Sequence, residues 1–218
     1  MNNIIGLYRR RMMMTNVSKG LPISDLPLGT LIRIADSDGG VGDANYEIAD
    51  INNFVSGGVV LVRKNIHSKS AFGNSPAYPG GILDNKMTSI YNSLPEKLQS
   101  KIMDATFALE GSGSITRKVF APTYTMAGFG ANNGTTEGKA LQHYTSNANR
   151  IKTYSGSAVA WWLSSRHNDS ISCGVNTDGS TGYTYPSYSF GVVPAFVISS
   201  KTPYDPTPNI DGSYNLIL

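Results

Sequence analysis

Cys173 and His167 are the residue types that could carry covalent chemistry, a thiol nucleophile with an imidazole base six positions before it. Such a pair needs a stabilised thiolate, from a helix N-terminus or a neighbouring cation. The segment around them, SSRHNDSISCGVNT, is rich in Ser, Asn and Gly and offers no helix start, so the chain reads as a non-enzyme. His67 and His143 stand alone, and neither a G-x-S-x-G elbow nor an H-E-x-x-H helix occurs. Gly138-Lys139 is followed by Ala where a phosphate loop needs Ser or Thr. The acidic turn ADSDGGVGDA at 35–44 invites calcium through Asp36, Asp38 and Asp43, but Val41 stands where the EF-hand loop requires Gly. A polar hairpin turn fits better, and neither a metal nor a cofactor is expected.

Recognition is the chemistry these residue types suit. Between Trp161 and Ser199 lie about 25 residues made almost wholly of Ser, Gly, Thr, Tyr, Asn and Asp. Tyr supplies broad amphipathic contact at low entropy cost, and Ser, Gly and Asn adapt their hydrogen bonds. The candidate ligand contacts are therefore Arg166, His167, Asn176, Asp178, Tyr183, Tyr185 and Tyr188. From Leu163 to Ser200 there is no Lys, Glu, Gln, Met or Trp, and every residue type present has a codon ending in a pyrimidine. That pattern resembles the variable region of diversity-generating retroelement targets.

These residues need walls to hold them. Trp161-Trp162-Leu163 and Gly191–Ile198 read as scaffold strands on either side. Upstream, Leu28–Ile34, Tyr46–Ile51, Gly58–Arg63 and Ser114–Ala121 have the β-branched content of strands. Met87, Ile90, Tyr91 and Leu94 follow helical spacing, which predicts a helix over Asn85–Leu94 capped by Asp84. Pro95 suits the start of a second helix, with Leu98, Ile102 and Met103 on its apolar stripe. Thr125–Gly138 reads as a long Gly/Asn loop, and 139–150 as one more short helix or an irregular segment.

Composition bounds the rest. Only 15% of the 218 residues are charged, the net charge is +3, and Gly (23) and Tyr (12) are abundant, which fits a loop-rich β protein and argues against a nucleic-acid binder. A single cysteine excludes an intrachain disulfide framework and an all-cysteine zinc site. No apolar run reaches membrane-spanning length, and no signal-peptide core is present. Residues 1–20, MNNIIGLYRRRMMMTNVSKG, form a basic, Met-rich arm whose Tyr8, Arg9, Arg10 and Arg11 are candidate assembly contacts. Residues 21–27 read as a linker, 28–200 as the domain, and 201–218, with three prolines, as a tail over the surface.

WWLSSR at 161–166 and GVVPAFVI at 191–198 resemble a domain family of Firmicutes and their phages that carries WWLRSP-like and GVRPAF-like motifs. Here Ser164-Ser165-Arg166 replaces Arg-Ser-Pro, and Val193 replaces the Arg before Pro194, so no role resting on that Arg transfers. The resemblance implies an α+β, C-type-lectin-like fold with a few short helices, twisted antiparallel strands and long irregular loops. With the arm, it implies a phage or prophage virion protein, made in the bacterial host cytoplasm, on a tail, baseplate or capsid surface. Its expected partners are other virion proteins and a host surface receptor or glycan, with no specific nucleic acid and no membrane insertion. A homo-oligomer is expected. The alternative is a decoration protein that stabilises neighbouring subunits and binds no ligand.

Overall fold

A computed structural model describes residues 20–36, 40 and 44–218. Tyr8, Arg9, Arg10 and Arg11 lie outside the described residues, as do Asp38 and Asp43 of the acidic turn.

The apolar runs become the centre of the molecule. β3 (Asn45–Ile51) and β4 (Gly58–Arg63) pair antiparallel, and every residue of β4 is buried. A strand buried on both faces reads as a near-continuous apolar run, which is why GVVLV shows no alternation, and the buried charge that closes it, Arg63, is paired with Asp36. β16 (Ala195–Ser199) pairs with β4 on one side and with β6 (Ile102–Met103) and β9 (Val119–Phe120) on the other. β2 (Leu31–Arg33) pairs with β3, and β18 (Tyr214–Asn215) runs parallel to β2 at the edge, which completes a seven-stranded sheet.

A second sheet of five strands carries the display segment. Its order is β14 (Thr181–Thr184), β13 (Ser172–Val175), β12 (Trp161–Arg166), β15 (Ser189–Val192) and β5 (Ser68–Ala71). The chain changes between these two sheets four times, from β4 to β5, from β5 to β6, from β9 to β12 and from β15 to β16. Gly191–Ile198, expected as one strand, is cut at Val193-Pro194, because proline has no N–H for the ladder. Its carbonyl is used at the crossing, accepting from Arg63 N at 3.0 Å. Residues of both sheets join one apolar core. Three two-stranded pairs flank them: β1 (Leu21–Pro22) with β17 (Pro203–Tyr204), β7 (Ala105–Leu109) with β8 (Gly113–Arg117), and β10 (Thr153–Tyr154) with β11 (Ser157–Ala158). Residues 201–218 thus cross the surface in two paired strands.

Among the described residues the α-helices are α1 (Ile82–Ser93), α2 (Glu96–Gln99) and α3 (Asn147–Arg150). α1 buries Leu83, Met87 and Ile90 and packs against β9 and β5. Asp84 is not its cap: Gly81 holds that position, and the Asp84 carboxylate reaches back to accept Gly80 N at 2.9 Å. Arg117 donates to both oxygens of Asp84 at 2.7 Å, which ties the helix start to β8.

The α+β, C-type-lectin-like expectation is overturned. One twelve-residue helix and two single turns do not form a helical layer, and the paired strands are compatible with a sandwich. The physical reason lies in the display segment. Small residues at 172–175 (SCGV) are fully buried and pair in register with TGYT at 181–184, so a hairpin stands where an irregular loop was expected.

Candidate recognition site

The walls are anchored by both ends of each indole. Trp161 Nε1 donates to Arg150 O and Trp162 Nε1 to Ser70 O, each at 2.9 Å, and both side chains are fully buried. Phe190 stacks on Trp162 at 4.6 Å, and Phe72 meets it edge-on at 5.5 Å. Buried indoles whose N–H groups are satisfied fix β12 in place. They are scaffold.

The turn that aims β14 uses two of the predicted contacts. Asn176 Nδ2 donates to Ser180 Oγ at 3.1 Å and to Thr181 O at 2.9 Å. Asp178 Oδ1 accepts Ser180 Oγ at 2.6 Å and Ser180 N at 3.0 Å. Those two hydrogen bonds hold the Asp178 carboxyl below the usual carboxylate range. Gly179 has φ +80°, and a Cβ there would sit 2.0 Å from Asn147 O. Asn176 and Asp178 therefore build the hairpin turn.

Tyr183 stands on the edge strand β14, opposite Cys173, and is 45% exposed. Its hydroxyl lies 3.0 Å from that of Tyr124, and the two rings are 22° from parallel with centroids 6.5 Å apart. His167 lies against Tyr183 at 4.2 Å, and Phe129 against Tyr124 at 5.2 Å. His167, Tyr183, Tyr124 and Phe129 thus form one aromatic row. Burial and the bond to Tyr183 raise the Tyr124 hydroxyl above its ordinary value, so the Tyr124 phenol stays protonated at neutral pH.

A buried carboxylate holds the row from beneath. Glu137 accepts from Ser165 Oγ, from Glu110 N at 2.9 Å and from Asn132 Nδ2 at 3.2 Å. Ser165 Oγ in turn accepts Tyr124 N at 2.7 Å. Desolvation pushes the Glu137 carboxyl up from its ordinary value. At the end of β12, Arg166 pairs with Asp169 at 2.9 Å and Glu110 at 3.3 Å. Asn132 Nδ2 donates to Arg166 O at 2.8 Å and Asn133 Nδ2 to His167 O at 2.6 Å. The 123–138 segment is thereby fastened along the row.

Tyr185 and Tyr188 form a separate exposed pair, 57% and 56% accessible with ring centroids 6.2 Å apart, at the turn from β14 to β15. The sequence pointed to Tyr183 and His167 but not to Phe129 and Asn133, inside the stretch read as a long Gly/Asn loop, to Tyr124 just before it, or to Glu110 on the turn between β7 and β8. The available signal was an aromatic pair inside a Gly-rich stretch, TYTMAGFG.

Cys173 is fully buried under the row, and burial, with the Glu137 charge, pushes its thiol up to about 12. Asp36 is taken by Arg63 Nε and Tyr46 Oη, each at 2.7 Å. Among the described residues no helix is long and apolar enough to cross a membrane.

Residues 30–200 match the model of a family described as a domain of unknown function, DUF6273, and the chain belongs to that family. No curated protein and no solved structure matches it.

Proposed function

We propose that this DUF6273 member is a non-catalytic recognition protein whose binding face is the row His167–Tyr183–Tyr124–Phe129, carried on a virion surface and directed at a host-cell receptor. One observation carries the reading: two nearly parallel phenols, joined by their hydroxyls, lie at the open edge of the five-stranded sheet on a fixed polar support. Half-exposed aromatic rings with hydroxyl edges offer an apolar surface and directional hydrogen bonds together. The support is built before any ligand arrives, so little conformational entropy is lost on binding. The virion setting rests on the basic arm at 1–20 and the resemblance of the two motifs, and it supplies the test. Fluorescently labelled protein should adsorb to cells of the bacterium from which the sequence comes, and Tyr183→Ala should abolish adsorption while leaving Tm unchanged. The reading fails if wild-type protein shows no adsorption or the variant adsorbs equally. Mass spectrometry of particles from the same source should find the chain, and its absence there would remove the virion setting.

A further inference from the structure

The charges around the row narrow what it can hold. Arg166 is gripped by Asp169 and Glu110. Hydrogen bonds from Thr135 Oγ1 and Arg166 keep the Glu110 carboxyl below its ordinary value, so it is ionised at neutral pH. Asp178, on the turn into the same strand, is held ionised as well. The second cation beside the row is Arg150, stacked behind Phe129 at 4.4 Å. Its guanidinium is already bound to the carbonyl oxygens of Gly179, Ala127 and Tyr144 and to Asn147 Oδ1. Glu110 and Asp169 thus stand on Arg166 next to His167, Asp178 lies on the turn that leads into β14, and both guanidiniums beside the row are engaged within the protein. An anionic ligand would meet net repulsion with no cation ready to receive it.

The shape narrows it further. The Tyr183 and Tyr124 rings are 22° from parallel with centroids 6.5 Å apart and hydroxyls 3.0 Å apart, so two apolar rings share one pair of polar atoms. A pyranose ring has the matching form: its C–H face lies flat on an aromatic ring while its equatorial hydroxyls project sideways to donors and acceptors. The paired phenol oxygens lie where those hydroxyls would reach.

Resting on the recognition reading, we infer that the ligand of this face is an uncharged saccharide seated on Tyr183 and Tyr124. The test is a panel of immobilised neutral oligosaccharides of glucose, galactose and N-acetylglucosamine beside counterparts carrying uronic acid or phosphate. Neutral members should bind, with Tyr183→Ala weakening binding about tenfold or more. Raising the salt should change their affinity less than about twofold, because no ion pair forms. Asp169→Lys, which turns an exposed rim carboxylate into a cation, should shift the preference toward the acidic members. Tighter binding of acidic than of neutral glycans by the native protein, or neutral binding that survives Tyr183→Ala, would overturn the inference. If no glycan binds while whole host cells still capture the protein through Tyr183, the saccharide class falls and the recognition reading stands. If neither glycans nor cells capture it, both fall.

Discussion

Cys173 and Lys152 show how burial alone decides what a reactive side chain can do. A thiol pushed up to about 12 has, at about pH 8, roughly one molecule in ten thousand as thiolate. In the folded protein Cys173 should therefore resist DTNB and iodoacetamide at that pH and react at once in denaturant. Fast labelling of the native state would contradict the burial. Lys152 and Glu47 are a fully buried ion pair in direct contact, and Tyr144 Oη donates to the same Glu47 oxygen at 2.9 Å. Burial depresses the ammonium and the Glu47 charge opposes that shift, so the pair owes its existence to both partners. Removing one leaves a charge in the core. Lys152→Met should cost about 3–5 kcal/mol in urea unfolding at neutral pH. Glu47→Met combined with Lys152→Met should recover at least half of that loss, and a double variant as weak as the single one would show that the pair adds more than its own desolvation costs. None of this was legible beforehand. The two partners lie 105 positions apart, and nothing local to either announces the other.

The hairpin β13–β14 is where reading from composition fell short and geometry supplied the rest. Ser, Gly, Thr and Tyr looked like an adaptable loop, yet alternate residues of TGYT point to opposite faces, placing Tyr183 outward at the edge and leaving Gly182 buried beneath Asn176. The walls were legible because Trp pairs and β-branched runs announce burial. A strand of small polar residues announces nothing, since its pairing is long-range information. The turn at 176–180 is the weak point that can be tested. Gly179 combines a left-handed φ of +80° with an Asn147 carbonyl where a Cβ would go. Gly179→Ala should cost about 2 kcal/mol or more from the backbone conformation and the clash together. Because this turn sets β14, ligand capture should fall along with Tm, whereas Gly134→Ala, at another positive-φ glycine with open space around its Cβ, should lose only the conformational part.

At the scale of the whole molecule, one strand order explains both what was foreseen and what was not. β4 and β16 were visible as apolar runs and β3 by its β-branched content, and they are the middle of the seven-stranded sheet. The overall plan was not visible, because it depends on where the chain changes sheets, and a single proline at 194 marks one of those crossings without saying where the next strand goes. The last residues make the point most directly. The proline-rich segment that crosses the surface also places β18 beside β2, and Asp211 fastens it there. Its carboxylate accepts Ser213 Oγ at 2.6 Å, Ser213 N at 3.1 Å, Asn45 Nδ2 at 3.0 Å and Arg33 Nη2 at 2.7 Å. Led by the Ser213 hydroxyl, these bonds hold the carboxyl far below the usual carboxylate range. A folded-state pKa below the unfolded one means that the unfolded chain binds the proton more readily, so the contribution is full above the unfolded value near 4 and fades as pH drops toward the folded one. Asp211→Asn removes the ionised acceptor at every pH. The variant should melt below the wild type at neutral pH, with the gap between them narrowing as the solution is taken below about pH 4. A gap that stayed constant down to about pH 2 would mean that the side-chain shape at 211, rather than its charge, holds the C-terminal strand in place.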